Sequence, residues 1–402
     1  MAVLGAAMLV TLIGLTAMAA VRAERIASEA TIDMAKARLY AESAIELAQE
    51  LISSDSNWRS NRVSGVWATT QPIGDGFFTL QVVDAVDGNL ANRPTDPVVV
   101  TATGIRGSAT QHLQVTLFAT GEPIGALAAA VQCAGELHIS TGANLTVTNA
   151  AASTNTTFRN QGTLTGNIEC LSITLPGTVT GTTTILAPSK TMPDSGVVAL
   201  YSSLATAIPA SSTMERFVLA PGYNPWGVAS TDGVYLISSS SDFTIRNCRV
   251  NGTLVISCPG KTVTISANVL LQAARADFPA LIVDGNLVLA FDSAGTLAES
   301  STNTNFNPAG AAYSGVSDSD TSDTYPSEIQ GLVHARGIVK LDQTSRVNGA
   351  VISESTALLS AVDVSGTPQV IYDANLVKAP PMGYTTNAAM AVQAGSWRQV
   401  VY

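Results

Sequence analysis

The chain is poor in charge. Only 12% of its 402 residues are charged, against roughly 25% in a typical soluble domain, which argues against a solvated all-helical protein or a long disordered tail. Histidine is scarcer still. His112, His138 and His334 are scattered, each in or beside a predicted strand, so they read as outward strand residues. The four cysteines, Cys133, Cys170, Cys248 and Cys258, include no CxxC pair, which disfavours structural zinc. No Gly-x-Ser-x-Gly elbow occurs, so a hydrolase nucleophile is not signalled. Gly260-Lys261-Thr262 resembles the end of a phosphate-binding loop, but Val255 stands where its first glycine would be and no helical pattern follows; a turn between strands is expected. Adjacent predicted strands carry no recurring carboxylate pair, which a glycan-cleaving site would need. No catalytic residue is therefore expected. The balance of 20 basic and 30 acidic side chains gives −10, so nucleic acid is not an expected partner.

What is present starts at the N-terminus. Ala2 to Val21 contain no charged residue, and about 20 apolar residues in a helix cross a hydrocarbon core of roughly 30 Å. A secretory signal carries basic residues ahead of its apolar run. Here no Lys or Arg precedes Arg22, and the helical pattern continues past it. A seam of small or apolar residues at spacings of four and three runs through Ala6, Leu9, Ile13, Thr16, Ala20, Ala23, Ala27, Ala30, Met34, Ala37, Ala41, Ala44 and Ala48. Small side chains on such a seam let helices of neighbouring copies approach closely. Leu39, Ile45, Leu47 and Ile52 fall off the seam, and some of them are expected to dock on a following sheet. The helix should end near Ser53, where Ser-Ser-Asp-Ser-Asn begins to compete for backbone hydrogen bonds.

The segment AVLGAAMLVTLIGLTAMAAVRAERIASEATIDMAKARLYAESAIELAQELI, Ala2 to Ile52, resembles the type IV pilin-like proteins, most closely the PilX-type branch. The segments Tyr372 to Gly383 and Gly395 to Val400 resemble the closing stretches of members of that branch that carry a β-helical C-terminal domain. The resemblance implies a prepilin cut by a dedicated prepilin peptidase, N-methylated at Met1, stored in the inner membrane and drawn by the pilus assembly machinery into an extracellular helical filament. Most major pilins carry Glu at the fifth mature position. If Met1 is the first mature residue, that position is Gly5, which suits a minor or tip subunit.

Residues 62–120 read as a small antiparallel sheet: Phe78, Leu80 and Val82 alternate with polar neighbours, Pro97 to Thr103 form a second strand, and Leu113, Val115 and Leu117 mark a third. From Glu122 the grammar changes to short β-branched runs between Gly, Asn and Asp, such as Asn144 to Thr148, Thr262 to Ser266 and Gly349 to Ser353. Short strands at irregular spacing suit a parallel β-helix. The expected fold is thus α+β: a long N-terminal pilin-like helix over 1–54, an antiparallel sheet over 55–121, and a β-rich surface domain over 122–402, a solenoid with loops at 188–232 and 292–328.

An exported domain makes disulfides plausible, and four cysteines allow three pairings; Cys248 with Cys258 and Cys133 with Cys170 are the pairs expected. Asp318, Asp320, Asp323 and Glu328 form the first candidate calcium site, on a flexible acidic loop. Asp84, Asp87 and Asn89 form a second, weaker one. The functional expectation is a structural subunit that polymerises with itself through its helix. Its rivals are a minor or tip pilin that adheres to surface glycans, a membrane-anchored protein that never polymerises, and a glycan-active enzyme on a pilin stalk.

Overall fold

The computed structural model describes residues 2–55, 57–91, 96–175, 177–293, 295–386 and 389–400, with only the backbone described at 2–7 and 9–11. It is α+β, with a long helix, a small antiparallel sheet and a large parallel β-solenoid. The chain forms two compact units: residues 1–121 with 387–402, and residues 122–386.

In the first unit, helix α1 runs from Ala2 to Ser53, about 78 Å at 1.5 Å per residue. A short helix α2, Trp58–Asn61, follows. Strands β1 (Gly65–Ile73), β2 (Gly76–Asp84), β3 (Val98–Arg106) and β4 (Ala109–Thr120) make an antiparallel meander. Alternation decides which face is buried: Phe78, Leu80 and Val82 of β2, Val98, Val100 and Ala102 of β3, and Leu113, Val115 and Leu117 of β4 all point into one core. Against them lie Ala41, Ala44, Ile45, Ala48 and Ile52 of α1. Leu39 and Leu47 stay exposed. The helix meets β3 at Gly104, where even a Cβ would stand 1.9 Å from the Ala37 carbonyl oxygen. Two C-terminal strands complete this sheet. Both β5 (Ala389–Val392) and β6 (Arg398–Gln399) pair antiparallel with β4. The tail expected at the end of the surface domain is therefore part of the helix-bearing unit, and the solenoid is an insertion between β4 and β5.

The solenoid stacks its coils as three parallel ladders. The first ladder runs through 206–208, 234–238, 254–257, 281–284, 333–335, 351–353, 131–133, 152–154, 168–170 and 183–185. The second includes 213–215, 243–246, 262–267, 286–291, 339–343 and 362–364. The third includes 218–219, 248–251, 269–272, 328–330, 346–348 and 369–371. Coil order is not chain order. The chain enters in mid-stack at Val131, winds to one end at Ile185, and resumes at the opposite end at Thr206. It then winds back until Val351 pairs with Val131, Val362 with Leu137 and Val370 with Val147. The open edge of each run is closed by the other, which removes two exposed strand edges from the middle of the stack.

The two expected loops are mostly structured. Within 188–232, helix α3 (Val197–Leu204) lies against the strands at 234–238, 253–272 and 281–291. The outward residues Val255, Ile282, His334 and Ile352 of the first ladder are all fully buried. Within 292–328, the strands Thr296–Ala298 and Thr324–Pro326 pair antiparallel, and Leu297, Phe306, Ala311 and Tyr325 pack on Val218 and Leu270 of the third ladder.

Candidate functional site

The helix seam divides into two parts. Ala37, Ala41, Ala44 and Ala48 are fully buried within the first unit, so they are not free to meet other copies as expected. From Ala37 onward the seam instead meets the sheet of its own unit, because Gly104 of β3 offers α1 the same close approach that a second helix would. Ile13, Thr16, Ala20, Ala23, Ala27, Ala30 and Met34 are all exposed. So are Leu12, Leu15, Met18, Val21 and Ile26, with Met18 at 76%. The side chains of Ala6 and Leu9 lie outside the described residues, as does Met1 with its expected processing. Among the described residues no helix is long and apolar enough to cross a membrane; the crossing expected over Ala2 to Val21 includes the side chains at 2–7 and 9–11, which are not described.

A polar clamp marks the point where α1 leaves the sheet. Arg106 at the end of β3 reaches Asp33 Oδ1 at 2.5 Å and Asp75 Oδ2 at 2.8 Å. Lys36 Nζ donates to Asp75 Oδ2 at 3.0 Å, and the Tyr40 hydroxyl donates to Asp75 Oδ1. The Tyr40 hydroxyl first, then Arg106 and Lys36, hold the Asp75 carboxyl well below the usual carboxylate range. None of these four contacts was visible in sequence, because the partners lie far apart along the chain.

The expected disulfides do not form: all four cysteines are free and buried in the solenoid. Cys133 and Cys170 sit on one ladder with the strand 152–154 between them, about 9.6 Å apart at ~4.8 Å per rung, beyond the reach of an S–S bond. Cys248 pairs across to Val269 on the third ladder, whereas Cys258 follows the first-ladder stretch 254–257. Burial pushes the Cys133 thiol up to about 12 and the Cys258 thiol up to about 11, so neither is a thiolate at neutral pH.

The first candidate calcium site does not gather. Asp318 Oδ2 and Asp323 Oδ2 both accept from Asn307 Nδ2, at 3.2 and 2.9 Å. Asp320 turns to the Ser322 N–H and hydroxyl. Glu328 lies on the third ladder, 3.0 Å from Arg346 Nε. Nearby amide and guanidinium donors occupy the oxygens that a cation would have taken. The same lobe carries a feature the sequence reading missed. Arg249, almost fully buried, donates from Nη1 to the carbonyls of Phe306 (2.7 Å) and Ala311 (2.6 Å) and from Nη2 to Ala312 O (2.7 Å), with Tyr313 under its guanidinium.

His138 and His334 are more engaged than outward strand residues. His138 Nδ1 is 2.8 Å from Asp363 Oδ1 and Nε2 is 3.0 Å from Gln161 Oε1. The nearest hydroxyl, Ser360 Oγ, stands 3.4 Å from the same Nδ1, so Asp and Ser compete for one nitrogen rather than flank the ring as a nucleophile relay requires. His334 bridges the Tyr384 hydroxyl and Glu354, each at 2.7 Å, under α3.

No protein-family model matches the chain, and no curated protein matches it. Among solved structures it is similar to an ice-binding protein from an Antarctic biological consortium, at 14% identity over 63% of this chain and 91% of that one, TM-score 0.30. It is also similar to an ice-binding protein of Shewanella frigidimarina, at 10% identity over 62% and 97%, TM-score 0.30. A third is the competence-associated pilin ComZ from Thermus thermophilus, at 12% identity over 92% and 98%, TM-score 0.22. Likeness at this level says nothing of what this chain binds.

Proposed function

We propose that this chain is a structural subunit of an extracellular type IV pilus-like filament, joined to other copies through α1. One observation carries the reading: the apolar and small residues from Leu12 to Met34 are exposed, while the same seam is buried from Ala37 onward. At about 25 cal/mol per Å² of apolar surface, leaving that half-helix in water is strongly unfavourable. A bilayer satisfies it before assembly, and neighbouring helices satisfy it afterwards. Contact between different faces of successive copies is heterologous and extends without closing. Processing by a prepilin peptidase with methylation of Met1, passage through the inner membrane and extraction by an assembly machinery belong to the same proposal. The scheme involves no catalytic step. Electron microscopy of surface material sheared from cells that make this chain tests it: fibres containing the chain are expected, and stably monomeric membrane protein with no fibre overturns it.

The second reading is a minor or tip subunit with an adhesive head. What favours it is an outward row of the second ladder, Thr213, Thr244 and Thr264, in direct register. Hydroxyls repeating at about 4.8 Å suit a repetitive ligand such as a surface glycan. Immunogold labelling separates the readings, since label along the shaft supports the first and label at fibre ends the second. Pull-down on polysaccharides, with ice as a further probe, tests the head, and retention that survives Thr244→Lys argues against this row.

A further inference from the structure

The docked half of α1 has a back face that its own unit leaves open. Ala37, Ala41, Ala44 and Ala48 are buried against the sheet. At about 100° per residue, Leu39, Ser43, Glu46 and Glu50 fall together on the opposite side of the helix, and all four are exposed. Glu42, beside them, pairs with Arg38 at 2.9 Å. Glu46 and Glu50 meet no cation among the described residues. The isolated fold gains nothing from these two acids. Carboxylates four residues apart on one helix repel each other. They also stand towards the negative end of the helix dipole, and the last turn of α1 holds no basic residue to offset them. The opposite charge lies on the other half of the helix. Arg22 is exposed and has no acidic partner among the described residues, and Arg25 pairs only with Glu29 of its own helix, at 3.0 Å. Leu15, Met18, Ala19 and Arg22 share one exposed face, separate from the face of the alanine seam. Glu24 is also exposed, but it points about 160° away from Arg22 around the helix.

We propose that this acidic back face seats the N-terminal half of a second copy, with Arg22 of that copy beside Glu46 and its Arg25 beside Glu50. The inference rests on the filament reading and adds a register to it. Arg22 and Glu46 are 24 residues apart, and Arg25 and Glu50 are 25, so two parallel helices staggered by about 36 to 38 Å satisfy both pairs. The same stagger sets Leu15 over Leu39 and Ala19 over Ser43. Apolar surface left in water on both faces, with Leu15 68% and Leu39 56% exposed, is then covered by one contact. Two different faces meet, so the contact repeats from copy to copy without closing. Complementary charge of this kind selects the register more than it adds affinity.

Charge reversal, read by electron microscopy of sheared cell-surface material, tests the register. Glu46→Arg with Glu50→Arg, and separately Arg22→Glu with Arg25→Glu, should each lower the recovered fibre by about tenfold or more, because like charges then meet at the contact. All four positions are exposed, so urea titration of each reversed chain should match the parent. Cells that make both reversed chains together should regain fibres containing both, since each N-terminal half then finds the opposite charge on the other chain. Fibres from either reversed chain alone as abundant as the parent's, or no recovery when the two are made together, overturn the register and leave the filament reading standing on the parent's own fibres. A parent chain that makes no fibre ends both.

Discussion

The two halves of α1 share one periodicity and have opposite fates. From Ala37 to Ile52 the seam and its flank are buried under β2, β3 and β4. From Leu12 to Met34 the same spacing of small and apolar residues faces outward. Helical periodicity says that a face will be covered; it does not say by what. The difference lies across the interface, in a sheet whose Gly104 lets the helix backbone settle directly on β3. Among the described residues of its unit the exposed half meets no such surface, and that is the physical content of the polymerisation reading.

The largest way to break this contrast is to put bulk into the docked half. Ala41→Trp places an indole where Ala41 has no exposed surface and where the β3 backbone lies against the helix. Overpacking of that size should cost on the order of 3–5 kcal/mol and abolish cooperative unfolding of the first unit, read by urea titration with circular dichroism. Stability within about 0.5 kcal/mol of the parent would mean that the helix does not sit on the sheet. Gly104→Ala adds one methyl from the other side. Its Cβ would meet Ala37 O at 1.9 Å and Ala41 N at 2.7 Å, both backbone atoms, so a loss of about 1–3 kcal/mol is expected. An unchanged urea midpoint would contradict that close approach.

These contacts explain what could be read in advance. The helix, its end at Ser53 and the buried faces of β2, β3 and β4 were legible because they depend on local period and on local competition for hydrogen bonds. Strand β1 was not, since its Thr69-Thr70-Gln71 stretch is exposed and register shifts interrupt its pairing with β2. Solenoid strands were visible as short β-branched runs, but their stacking order was not: nothing local to Val131 says that its neighbour is Val351. The two acidic loops looked alike in sequence. They differ because Asn305 and Asn307 supply amide donors to Asp318, whereas Asp84 Oδ2 accepts no hydrogen bond among the described residues and has Arg59 Nη1 at 3.8 Å. Arg249 carried a faint signal, a charge inside an apolar strand, but its acceptors are carbonyls of a lobe more than fifty residues away.

A smaller effect belongs to the boundary between the halves, where Asp75 joins Tyr40, Arg106 and Lys36. Its carboxyl is held below its ordinary value in the folded state, first by the Tyr40 hydroxyl and then by the two cations. A depressed carboxylate stabilises the fold fully above its unfolded value, near pH 4, and that contribution fades as pH falls further. The urea midpoint of the first unit should therefore drop below about pH 4, and less steeply in Tyr40→Phe. Because the group is exposed, about 0.3 M salt should flatten the difference. Identical acid profiles for parent and Tyr40→Phe would remove the hydroxyl from the clamp.

The smallest expected change in stability is the most informative about the other half. Ala27 lies on the exposed part of the seam, beyond the charge at Arg22 and Arg25 and short of the clamp at Asp33. Ala27 is exposed, so Ala27→Trp should leave the unfolding free energy within about 0.5 kcal/mol of the parent. Membrane insertion, which depends on the uncharged residues before Arg22, should also be retained. Yet a close-packed bundle of identical helices has no room for indoles at a small-residue position. Sheared fibres should therefore disappear while the protein accumulates in the membrane. Normal fibres from this variant would mean that copies meet on another face of α1, and the exposed seam would then mark only the surface that lipid covers.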